Sequence, residues 1–187
     1  MVAVPEVVVK RRLTFEDYEA LPDDAWYEII EGVLYVSPRP RPRHQVVAGQ
    51  FAFALYRDVQ ERGLGTVILE ADLIVDERNT YVAPDIMVFL GDRFAAVNLE
   101  QKITIIPDLI VEVLSPSNED YDLTTKAQTY ARLGVPHYWA VDPRRRALTE
   151  HVRQPAGEYS VRTVTAPEPF TPALFPELTL DLDRMLA

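Results

Sequence analysis

The run Leu109-Ile110-Val111-Glu112-Val113-Leu114 sets the strictest condition on this chain, because five branched apolar residues surround one carboxylate. A continuous apolar run of this length reads as a strand covered on both faces, the kind found in the middle of an α/β sheet. A bare carboxylate in such a strand is costly unless a cation, a metal or a proton neutralises it. Glu112 therefore needs a partner. Asp85 follows Pro84 and opens a second apolar run, Asp85-Ile86-Met87-Val88-Phe89. On a neighbouring strand, Asp85 would share a divalent cation with Glu112. The alternative partner is a buried cationic side chain, Lys126 or Arg132.

The pattern around these runs predicts the other elements. Thr14 to Leu21 reads as a short helix, with Thr14 as cap, Asp17 three residues on and Pro22 as stop. Tyr27 to Val36 reads as a hairpin turning at Glu31-Gly32, followed by a stiff extended connector from Pro38 to Pro42. His44 to Arg62 has the clearest helical period, with Val47, Phe51, Ala54, Leu55 and Val59 on one stripe and Gly63 and Gly65 at its end. Strands are expected over Thr66 to Val75, Tyr81 to Phe89, residues 107–114 and Pro136 to Val141. A helix of about 13 residues before Gly134 links the last two. One or two strands, a Pro-rich stretch and a short helix complete the chain. The core order is helix, strand, strand, strand, helix, strand: an α/β domain around a mixed central sheet, with residues 1–187 as one domain.

Composition narrows the partners. A net charge of -10 argues against coating nucleic acid by bulk electrostatics. Any such contact has to be local, and two local clusters exist: Arg39, Arg41 and Arg43, and Arg144-Arg145-Arg146. The bland reading of both is a solvated turn. No cysteine is present, which removes disulfides and thiolate metal sites and, with no membrane-length apolar run or cleavable leader pattern, points to the cytoplasm. Arginine outnumbers lysine 16 to 3, so a lysine such as Lys126 marks a place suited to a compact point charge. The arginine bias and the 15 prolines also suit a thermophile or a GC-rich genome.

Together the residues suggest a metal-assisted site. Two carboxylates plus waters suit Mg²⁺, an ion that commonly works on phosphates. A lysine on the next helix could hold an attacking water or stabilise developing phosphoryl charge. Each residue also has a structural use. Asp85 could cap its strand, and Asp122 and Lys126 could form a helix-surface pair.

The ordered set Tyr27-Glu28-Ile29-Ile30-Glu31-Gly32, Ser37-Pro38, His44-Gln45, Pro84-Asp85-Ile86, Val111 to Ser117, Asp122, Lys126, Tyr130, Gly134-Val135 and Tyr138 to Pro143 resembles the bacterial restriction endonucleases of the Uma type. That family belongs to the PD-(D/E)xK nuclease superfamily. The resemblance runs from about residue 14 to the end. It implies a restriction-endonuclease-like core and a Mg²⁺- or Mn²⁺-dependent endonuclease acting on DNA. Asp85 would be the motif aspartate and Glu112 the acidic member of (D/E)xK, both ligating the metal. The chain departs from the motif at Leu114, which stands where the lysine belongs, and Lys126 would be its replacement. Glu28 and Gln45 look like supporting polar positions, and Arg39, Arg41 and Arg43 like phosphate contacts. The rivals are an inactive nuclease-fold protein acting through protein contacts and a hydrolase of a small phosphorylated substrate. Apolar exposure at the hairpins would suit a homodimer.

Overall fold

A computed structural model describes residues 12–22, 25–37, 40–74, 80–115 and 121–187. Its centre is a six-stranded sheet in the order β10-β9-β8-β7-β6-β3. The strands are β3 (Gly65–Leu69), β6 (Ile86–Leu90), β7 (Leu109–Val113), β8 (His137–Asp142), β9 (Ala147–Arg153) and β10 (Tyr159–Thr165). β7 lies antiparallel to β6 and parallel to β8. A parallel pair cannot be joined by a tight turn, so the chain crosses over through a helical segment between β7 and β8. That segment has wide π-type turns over Tyr121–Lys126 and continues as α3 (Ala127–Leu133). Gly134 ends it at φ 87°, a left-handed conformation that glycine adopts without steric cost.

Alternation along β7 divides the core into two layers. Leu109, Val111 and Val113 face the layer that contains Val47, Phe51 and Leu55 of α2 (Pro42–Leu55) together with Trp139 and Val141. Ile110 and Leu114 face the other layer, with Ala127 and Tyr130 of the crossover helix, Tyr138, and Ile30 and Val82 from a second sheet. Glu112 has the parity of Ile110 and belongs to this second side. α2 starts at Pro42, two residues before the expected start at His44, because proline at the first helical turn gives up no needed N–H.

The second sheet has the order β2-β1-β5-β4, with β1 (Trp26–Ile30), β2 (Val33–Ser37), β4 (Leu73–Ile74) and β5 (Tyr81–Val82). β1 and β2 form the expected hairpin, turned by Glu31 at φ 53° and Gly32 at φ 80°. α1 (Phe15–Glu19) begins at a reciprocal cap. The Thr14 N–H donates to Asp17 Oδ2 at 2.8 Å, and the Asp17 N–H donates to Thr14 Oγ1 at 3.4 Å.

One expectation changes. The two long strands, Thr66 to Val75 and Tyr81 to Phe89, are each broken, and their halves enter different sheets. β3 pairs with β6 in the large sheet, whereas β4 pairs with β5 in the small one. The breaks have local causes. Glu70 turns the first strand at φ 46°, and Pro84 has no N–H with which to continue the second ladder. The Glu70 N–H donates to the Asp85 carbonyl at 3.1 Å and ties the two breaks together. Asp85 therefore sits at the point where a bent hairpin passes from one sheet to the other. Residues 75–79, between the two expected strands, lie outside the described residues.

Candidate active site

Four elements deliver charged side chains to the end of β7. Ile86 pairs with Val111, and one step further along the same antiparallel register Asp85 stands opposite Glu112. The Val113 N–H donates to Asp85 Oδ2 at 2.7 Å, so Asp85 closes the end of the ladder with its side chain. Glu112 is 4 % exposed and Lys126 5 % exposed, and the Lys126 Nζ lies 2.8 Å from Glu112 Oε1. The same ammonium lies 3.0 Å from Glu28 Oε1, on β1 of the other sheet, and Glu28 Oε1 also accepts the Ala83 N–H at 3.3 Å. Lys126 thus neutralises two buried carboxylates and joins the two sheets.

Of the two cationic partners that the sequence left open, Lys126 is the one at Glu112; Arg132 pairs with Glu31 at 3.1 Å instead. Lys126 is buried, with its ammonium turned towards Glu112 and Glu28. The Asp122 side chain lies outside the described residues. Tyr130, one helical turn after Lys126, donates its hydroxyl to Glu112 Oε1 at 2.7 Å. Burial, and then the charge of Glu112, hold the Tyr130 hydroxyl proton well beyond the usual phenol range.

Burial also pushes the Glu112 carboxyl up to about 7. Lys126 opposes this, while Asp85 and Glu28 add to it. His44, in the first turn of α2, approaches Asp85 Oδ2 from the other layer, with Nε2 at 3.2 Å. Burial alone would lower the His44 pKa, but the hydrogen bond and charge of Asp85, helped by Glu112, raise it overall. Its Nδ1 is buried and has no hydrogen-bond partner among the described residues.

The donor atoms suit a hard divalent cation. Glu112 accepts both hydrogen bonds on Oε1. Asp85 accepts on Oδ2 only, leaving Glu112 Oε2 and Asp85 Oδ1 without donors among the described residues. Opposed carboxylate oxygens from adjacent strands are ligands that Mg²⁺ and Mn²⁺ accept, with water or substrate oxygens completing the shell. Among the described residues no group of three or more His, Asp or Glu side chains is arranged to hold an ion by itself.

The remaining expected site residues lie around this centre. Gln45 donates to Glu70 Oε1 at 3.0 Å, at the break whose N–H holds the Asp85 carbonyl. It therefore supports Asp85 through one intermediate residue. Arg41 and Arg43 are exposed at the start of α2, and Arg39 lies outside the described residues. Sequence reasoning gave no role to His44 or Tyr130. The i, i+4 spacing of Tyr130 with Lys126 was a usable signal, whereas His44 meets Asp85 only through tertiary packing.

The family described as Uma2, putative restriction endonuclease, matches residues 15–183. The chain belongs to this family. A solved structure, described as a putative nuclease belonging to DUF820 from Anabaena variabilis, superposes with a TM-score of 0.77. It covers 93 % of this chain and 97 % of its own at 21 % identity. That likeness establishes the Uma2 chain's mixed α/β, restriction-endonuclease-like fold. No curated protein matches. Among the described residues no helix is long and apolar enough to cross a membrane.

Proposed function

We propose that this Uma2 protein is a Mg²⁺- or Mn²⁺-dependent phosphodiesterase of the PD-(D/E)xK type, acting on DNA. Asp85 and Glu112 would hold the ion, Asp85 Oδ1 and Glu112 Oε2 being the oxygens without donors among the described residues. The ion, when bound, supplies a water of lowered pKa and neutralises phosphoryl charge. Lys126 stabilises charge on the phosphate beside Glu112, and Glu28 fixes the position of its ammonium. Tyr130 orients Glu112 by occupying Oε1, which would leave Oε2 available to the ion. His44 holds Asp85 in the same way through Oδ2.

The observation that carries this reading is the 2.8 Å contact between Lys126 and Glu112. Leu114 occupies the place where the motif has its lysine, yet a lysine 14 residues after Glu112 reaches its carboxylate. A purely structural neutraliser would not need Glu112 Oε2 and, on the adjacent strand, Asp85 Oδ1 to be left without donors among the described residues. Membership of a family described as putative restriction endonuclease supports the same chemistry.

The test incubates supercoiled plasmid, single-stranded DNA and a small chromogenic phosphodiester with native and Asp85→Ala protein, in Mn²⁺ at low salt. Cleavage of DNA that Asp85→Ala abolishes is the expected result. Cleavage of the small ester alone would replace DNA with a small phosphorylated substrate, which suits the net charge of -10. Absence of any Asp85-dependent cleavage would leave an inactive nuclease fold that acts through protein contacts.

A further inference from the structure

The two arginine clusters, 100 residues apart in sequence, meet. Arg43 Nη2 donates to the Pro143 carbonyl at 2.9 Å, which brings the start of α2 against the turn between β8 and β9. This is the site's own edge of the large sheet. β7 and β8 run parallel and finish together, with the Leu114 N–H donating to the Val141 carbonyl at 2.7 Å. His44, next to Arg43, is the residue that reaches Asp85.

The charges at this edge differ in how they are compensated. Arg146 is paired with Asp183 at 2.7 Å, and Arg145 lies 3.6 Å from Asp142. The Asp142 Oδ1 accepts the N–H groups of both Arg144 and Arg145, which fixes the turn that presents them. Arg41, Arg43 and Arg144 are exposed and face no carboxylate among the described residues; Arg43 is bonded only to a neutral carbonyl. On a chain of net charge -10, three guanidinium groups without a carboxylate partner among the described residues, on the two segments that the Arg43–Pro143 bond joins, are a local excess of positive charge. Arg43 also ties α2 to the β8–β9 turn, but ion pairing does not account for Arg41 and Arg144.

We propose that Arg41, Arg43 and Arg144 form one rim that grips the phosphate backbone of a nucleic acid beside the Asp85–Glu112 site. This rests on the phosphodiesterase reading and adds where the strand lies. Guanidinium groups suit the task because their planar donor fork matches phosphate oxygens. The rim also answers how an acidic protein holds a polyanion: by a few contacts at one edge, with affinity strongly reduced by salt.

The test measures binding of a labelled duplex by fluorescence anisotropy with EDTA present, so that binding is read without cleavage. Arg41→Ser/Arg144→Ser keeps the Arg43–Pro143 bond, and with it the fold. Arg57→Ser/Arg62→Ser removes the same charge from exposed positions at least about 20 Å further along the helix, well beyond a Debye length. Two lost phosphate contacts reduce the log–log salt slope by about 1.8, so the native protein loses about 12-fold more affinity than the rim variant between 50 and 200 mM salt. The control pair should leave the slope unchanged. Equal slopes for the two variants, or no binding by native protein at 50 mM salt, would overturn the rim. Rim-dependent binding without Asp85-dependent cleavage would keep the rim and remove the nuclease reading; cleavage with rim-independent binding would do the reverse.

Discussion

Glu112→Gln should change how stability depends on pH, and the size follows from the site. The folded Glu112 carboxyl has a pKa of about 7, against 4.5 for an unperturbed glutamate, with burial as the main cause. Between these values the folded state holds a proton that the unfolded chain has released. The Glu112 contribution to the derivative of unfolding free energy with pH is then negative, so that contribution to stability is fullest below about pH 4.5 and is lost as pH rises through 7. At about 1.4 kcal/mol per pH unit, the Glu112 contribution to this fall is on the order of 3 kcal/mol. Glutamine keeps the shape and an acceptor oxygen for Tyr130 and Lys126 but does not titrate. Urea denaturation of native and Glu112→Gln protein at pH 5, 6, 7 and 8, in EDTA, isolates the effect as a difference between two curves. The variant should be the flatter of the two and equal or exceed native stability at pH 8. Parallel curves would mean that Glu112 is ionised throughout, its burial fully offset by Lys126, and the reasoning would fail.

Other outcomes follow from the same contacts. Millimolar Mn²⁺ should raise the melting temperature of the native protein, by up to about 2.7 kcal/mol of stability at 100 times Kd, and Asp85→Asn or Glu112→Gln should cancel the rise; an unchanged native melting curve speaks against the site. Lys126→Met leaves Glu28 and Glu112 buried without their cation and should cost about 3–5 kcal/mol in urea titration, together with a loss of turnover by orders of magnitude. Native-like cleavage by that variant would exclude Lys126 from the reaction. Tyr130→Phe keeps the ring against Tyr138 at 5.1 Å but loses the hydrogen bond to Glu112, for a cost of about 1.5–3 kcal/mol and an intact near-UV spectrum.

Elements whose pattern is local were readable from the chain alone. The stripe from Val47 to Val59, the capping pair Thr14 and Asp17, the Glu31-Gly32 turn and the stop at Gly134 each have a physical cause within a few neighbours. The carboxylate in an apolar strand was also readable, because burial of charge is a demand that the sequence announces before its partner is known. The partner itself required the fold. Lys126 and Arg132 were equal candidates until the crossover helix turned one towards Glu112 and the other towards Glu31. Glu28 arrives from a second sheet, and that sheet exists because Glu70 and Pro84 divide two strands that periodicity reads as continuous. His44 meets Asp85, and Arg43 meets Pro143, across separations of 41 and 100 residues. Local propensity encodes where a strand or helix begins and ends. Which charges meet is decided by how sheets stack and helices cross, and only the packed molecule carries that information.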